Sequence, residues 1–223
     1  MWIFPLAAAG VSAVFASILV RGWRERTRPH LLAWGVALAM FAVASGAASL
    51  GMLAGWSEML FQTYYLFGAV LNVPVLALGT LHLLAPAQIA RTTTAVVILL
   101  SISAIFAVLG ADLHVTGLDT SGIPSGSEVM PAGPRVLSRY YSFAGFFVVV
   151  GGALWSTWRL GRSRRPELRR LAAANGLIAA GTFVVAVASG FARYGRGFIF
   201  AVGLFAGVSI MFFGFLMTRV RPG

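Results

Sequence analysis

Apolar residues run along this chain in seven long blocks separated by short polar stretches. A helix needs about 20 mainly apolar residues to cross a hydrocarbon layer of roughly 30 Å. Residues 3–20, 31–54, 58–85, 92–110, 138–160, 170–192 and 197–218 each meet that requirement. In lipid a spanning segment must satisfy its own backbone groups, which a helix does internally. The pattern therefore predicts an all-α, polytopic integral membrane protein: a single seven-transmembrane helix bundle over residues 1–223, with helices one to seven in chain order. The first block has neither the basic flank nor the small-residue cleavage pattern of a signal peptide, and it is read as a spanning helix.

Composition agrees. The chain of 223 residues is 59% hydrophobic and 10% charged, with a mean hydropathy of +0.87, outside the range of soluble domains. Arginines then set the orientation. Arg21, Arg24, Arg26 and Arg28 follow helix one, Arg91 follows helix three, Arg159, Arg162, Arg164, Arg165, Arg169 and Arg170 surround the turn after helix five, and Arg219 and Arg221 end the chain. All of these fall on one side of a seven-span chain, and the positive-inside rule makes that side cytoplasmic, with the N-terminus outside. Against Glu25 and Glu167 they carry the whole formal net charge of +11. On the outer side Arg135, Arg139, Arg193 and Arg196 are balanced by Glu58, Asp112, Asp119 and Glu128. A basic face beside a membrane points to the anionic inner leaflet, which attracts each juxtamembrane arginine by about 1 kcal/mol. No aromatic-basic module accompanies the charge, so nucleic acid is not expected as a partner.

Absences narrow the chemistry. The chain has no cysteine, which excludes thiolate metal sites, a cysteine nucleophile and disulfides. It has no lysine either, which excludes an imine to retinal. Ser209 in GVSIM lacks the second glycine of an intramembrane serine protease motif, and no intramembrane carboxylates pair for acid–base work. The expectation is a protein without catalytic activity and without a cofactor.

The connections are short except residues 111–137, an outer loop rich in Gly, Pro and Ser that reads as a solvated, partly mobile segment. An internal repeat is visible. Arg28-Pro29-His30-Leu31 matches Arg165-Pro166-Glu167-Leu168, AVASG occurs at 42–46 and again at 186–190, and LFGAV at 66–70 resembles LFAGV at 204–208. The order and direction of these matches suggest a 3+1+3 arrangement of parallel repeats, known in some transporters. Small residues line one face of helix five (Gly145, Gly152, Ser156) and one of helix seven (Gly203, Gly207, Gly214). Such faces allow close helix contact within the bundle or in a homodimer.

Helix three raises the functional question. At about 100° per residue, Glu58, Gln62, Tyr65 and Asn72 fall within a sector of roughly 80°. Polar groups in hydrocarbon must find partners, so this stripe should face the interior or an aqueous cavity open to the outside. Each member also has a packing explanation. Ser57 suits an N-cap with Glu58 in the first turn, Tyr64 and Tyr65 suit an interfacial belt, and Pro74 frees the carbonyl of Val70 at a kink that Asn72 could help satisfy. Asn175, Arg193 and Arg196 are further candidates for a polar ligand. His30 and His82 lie at similar cytoplasmic depth on neighbouring spans, the one arrangement that could clasp a haem iron. Neither has a metal-type partner one turn away, and His114 is on the opposite side.

At YYLFGAVLNVPVLALGTLHLL and GGALWSTWRL the chain resembles a family of uncharacterised seven-transmembrane membrane proteins of high-GC actinobacteria. The resemblance implies a bacterial inner-membrane protein and brings no activity or functional residues with it. The layout is also similar to that of small sugar transporters with Pro-Gln motifs, but no Pro-Gln dipeptide is present, so sugar transport is not implied. Two functions remain open. One is a small-molecule binding or transport bundle using the helix-three stripe. The other is a non-catalytic sensory or accessory module that associates with lipid, through Arg21, Arg24, Arg26, Arg28 and Arg162 to Arg170, or with another membrane protein.

Overall fold

The computed structural model describes residues 1–118, 122–192 and 197–219. Among them seven helices are long and apolar enough to cross a membrane, and no strand occurs. They are α1 (Ile3–Arg26), α2 (Pro29–Ala54), α3 (Glu58–Leu84), α4 (Ala87–Leu109), α5 (Ala132–Gly161), α6 (Pro166–Ala192) and α7 (Gly197–Arg219). The fold is therefore the polytopic all-α bundle that the apolar blocks imply.

Several helices extend past the apolar blocks. The block boundaries stop at charged residues, yet those charges ride on exposed helical turns. Arg21, Arg24 and Arg26 occupy the last turns of α1, where positive charge complements the helix dipole. Proline opens α2 at Pro29 and α6 at Pro166, a position where its fixed φ is pre-set and its missing N–H costs nothing. The Arg-Pro pairs of the two sequence repeats thus each start the second helix of their half. Gly55 ends α2 at φ 93°, a conformation that favours glycine.

Packing follows a circuit. α1 lies on α2, α2 on α3, α3 on α5, α5 on α6, α6 on α7, and α7 returns to α1. α4 stands outside the circuit against α3, with a thinner contact to α5. The contacts within α1–α3 mirror those within α5–α7, and the two junctions between halves, α3 with α5 and α1 with α7, exchange under the same swap. The matched AVASG segments pack alike: Ala44 meets Gly68 of α3, and Ala188 meets Gly203 of α7.

The glycine faces are used inside the bundle. A Cβ on Gly145 would sit 2.8 Å from the carbonyl oxygen of Val73, and one on Gly152 would collide with Thr80 of α3. A Cβ on Gly214 would sit 2.8 Å from the carbonyl oxygen of Ala174, and Gly203 and Gly207 also face α6. These faces are therefore not free to form a homodimer seam. One apolar core joins α1, α2, α6 and α7 around Phe15, Leu19, Leu204 and Val208. A second joins α3, α4 and the outer loop around Phe61, Val70, Val108 and Val129. Tyr64 packs against both.

Candidate functional site

The outer connection is folded, contrary to the solvated loop its composition suggests. Leu118, Val129 and Met130 are buried in the second core, and burying apolar side chains outweighs the Gly, Pro and Ser content around them. The indole Nε1 of Trp56 donates to the carbonyl of Gly122 at 2.8 Å, and the His114 amide donates to the carbonyl of Val129 at 3.0 Å. A short helical turn, Gly126–Val129, lies against the ring of Tyr65 at Gly126. Arg135 at the start of α5 donates to the carbonyl of Ser127 at 3.3 Å. The outer end of helix three is thus roofed by its own loop.

Beneath this roof the polar stripe separates into individual contacts. Glu58 is exposed, and Ser57 caps the helix by accepting the Leu60 amide at 3.3 Å. Gln62 is half-buried and its Nε2 donates to the carbonyls of Val108 and Leu109, each at 3.3 Å. These are carbonyls of the last turn of α4, which have no amide partner within their own helix. Tyr65 is buried and stacks on Phe61 with ring centroids 5.7 Å apart. Asn72 is buried, and its Nδ2 donates to the Ala37 carbonyl of α2 at 2.7 Å. Gln62, Tyr65 and Asn72, expected to line a cavity open to the outside, each have a partner on a neighbouring segment. These side chains bind helix three to α4, to the loop and to α2.

The backbone ahead of Pro74 also departs from a regular α-helix. Tyr65–Leu71 forms a π-helical segment, in which amides pair with carbonyls five residues back, and the α-helix resumes at Asn72. Ser138 and Ser142 of α5 donate to the Ala69 carbonyl of this segment at 2.8 and 3.1 Å. Asn72 takes no part in this. The two serines, one turn apart on α5, escaped the sequence reading because nothing local shows which helix they face.

At the arginine-rich end of the bundle, the Thr94 hydroxyl donates to the Ala90 carbonyl at 2.8 Å. The Thr94 hydroxyl also lies 2.9 Å from His82 Nε2, within hydrogen-bond distance. His30 packs edge-on against Trp34, with centroids 5.3 Å apart. Among the described residues no three His, Cys, Asp or Glu side chains gather as metal ligands. Asn175 donates to Ser156 at 2.8 Å and Thr157 to the Ala172 carbonyl at 3.3 Å, two bonds that fasten α5 to α6. Arg193 and Arg196 lie outside the described residues.

The arginines gather at one end of the bundle. Arg21, Arg24, Arg26, Arg28, Arg162, Arg164, Arg165 and Arg169 are exposed there, and Arg170 is half-buried. Arg162 lies over the Trp158 ring at 4.0 Å.

The fold defines a multi-pass membrane protein. Comparison with protein-family models, curated proteins and solved structures returned no match.

Proposed function

We propose that the protein is a non-catalytic module of a bacterial inner membrane that holds anionic lipid headgroups at its arginine-rich end, with that end in the cytoplasm. One observation carries the reading. Among the described residues, Arg21, Arg24, Arg26, Arg28, Arg162, Arg164, Arg165 and Arg169 have no carboxylate partner, whereas helix-three polar side chains donate to neighbouring helices. Each such arginine near an anionic surface contributes about 1 kcal/mol of attraction. The face therefore favours phosphatidylglycerol-type over zwitterionic lipids. The test is the lipid composition retained by the purified protein. Wild type should be enriched in anionic lipid, and replacing Arg162, Arg164, Arg165, Arg169 and Arg170 with Gln should reduce that enrichment; equal retention by both would overturn the reading.

A second reading, small-molecule binding or transport between the two halves, draws on the matching contact order of α1–α3 and α5–α7. Native mass spectrometry with metabolite identification separates the two. A bound solute that is not a lipid would favour the second.

A further inference from the structure

The second half of α5 presents a surface that neither core uses. Phe147, Leu154, Trp155 and Trp158 are 67%, 56%, 56% and 50% exposed. With Gly151, Arg159 and Arg162 they fall within a sector of about 140° on one helix face. The adjoining face carries Gly145, Gly152 and Ser156, which pack inward against α3 and α6. A Cβ on Gly151 would have no heavy atom within 4 Å, so this position is a notch in the outer surface between Phe147 and Trp155.

Charge meets this apolar track at its cytoplasmic end. The Trp155 and Trp158 rings lie 5.2 Å apart, and the Arg162 guanidinium rests 4.0 Å above Trp158. Stacking on a ring holds the guanidinium at the depth of the aromatic belt and leaves its in-plane N–H donors free for an anion. Arg159, three residues earlier, is a neighbour on the same helix surface. Neither arginine has a carboxylate partner among the described residues. The bonds from Asn175 and Thr157 hold α5 against α6 directly behind the track.

We propose that this surface seats one anionic phospholipid, its phosphodiester between Arg159 and Arg162 and one acyl chain running along Trp158, Trp155, the Gly151 notch and Phe147. The proposal rests on the lipid-holding function above and names its site. A phosphodiester complements two adjacent guanidinium groups, and a chain-wide notch ringed by exposed aromatics complements a hydrocarbon tail at the same depth.

The experiment uses the full chain in nanodiscs of phosphatidylethanolamine and phosphatidylglycerol, with retained lipid counted by native mass spectrometry. Wild type keeps one phosphatidylglycerol molecule under activation that strips the rest. Trp158→Leu, Arg162→Gln and Gly151→Leu each weaken that retention roughly fivefold, the scale of a lost cation–π or packing contact, while the Arg164→Gln/Arg165→Gln pair lowers the total anionic-lipid enrichment but keeps this one tightly held molecule. All these positions face outward, so melting temperatures should match wild type and report intact folding. Wild-type retention by Trp158→Leu and Gly151→Leu overturns the seat, as does equal loss in the Arg164/Arg165 pair. If wild type keeps no phosphatidylglycerol above its bulk fraction, the broader lipid-holding function falls too.

Discussion

Ser142 of α5 donates a hydrogen bond to the carbonyl of Ala69, 73 residues earlier in the chain and inside the π-helical segment of helix three. Ser138 supplies a second bond to the same oxygen. The irregular stretch of helix three is thereby a place where the two halves of the bundle are joined.

Replacing both serines with alanine should lower stability by about 1–2 kcal/mol, the worth of two interhelical hydrogen bonds in a membrane. Denaturant unfolding in mixed micelles measures the loss. Unchanged stability would show that these two bonds do not hold the halves together.

Asn72→Ala should cost about 1 kcal/mol and leave the retained lipids unchanged, because Asn72 donates to Ala37 of α2. The same unfolding assay, run beside lipid analysis, checks both. Unchanged stability with loss of a bound small molecule would return the helix-three stripe to a binding role.

Gly181→Ala should be among the most damaging small substitutions. Its Cβ would lie 2.5 Å from the Gly207 carbonyl oxygen, and forcing the α6 and α7 backbones apart costs about 1–3 kcal/mol. Gly10→Ala has open space around it and should gain roughly 0.5–1 kcal/mol from helix propensity. Melting temperatures of opposite sign relative to wild type are the expected result.

Trp56→Phe keeps an aromatic ring but removes the donor to Gly122. Hydrogen exchange across residues 111–131 should quicken in this variant, with the exchange of α6 and α7 unaffected. Exchange as slow as in wild type would show that the apolar plug of Leu118, Val129 and Met130 holds the roof by itself.

The seven spans were legible because block length and hydropathy leave a membrane chain little choice, and the Ser57 cap because its signal lies within four residues. The spacing of the stripe does not carry over into the structure for a geometric reason. A constant 100° per residue relates Gln62 to Asn72 only in an unbroken α-helix, and the wide turns of Tyr65–Leu71 lie between them. The loop misled through its average composition, although the residues that bury it, Leu118, Val129 and Met130, stand plainly in its sequence. Ser138 and Ser142 depend on a partner about 70 positions away, a distance at which one sequence gives no register.

The junction of α1 with α7 gives the molecule an order of assembly. The Phe15 ring packs at a tilt against Phe212 and Phe215, with centroids 5.1 and 4.9 Å away, so the first span cannot complete its packing until the last has been synthesised and inserted. Throughout translation the inner face of α1 must be shielded by lipid or by the insertion machinery. A ribosome that stalls before α7 would leave an open bundle with the Gly181 face of α6 bare, a form that membrane quality control can distinguish from the finished protein.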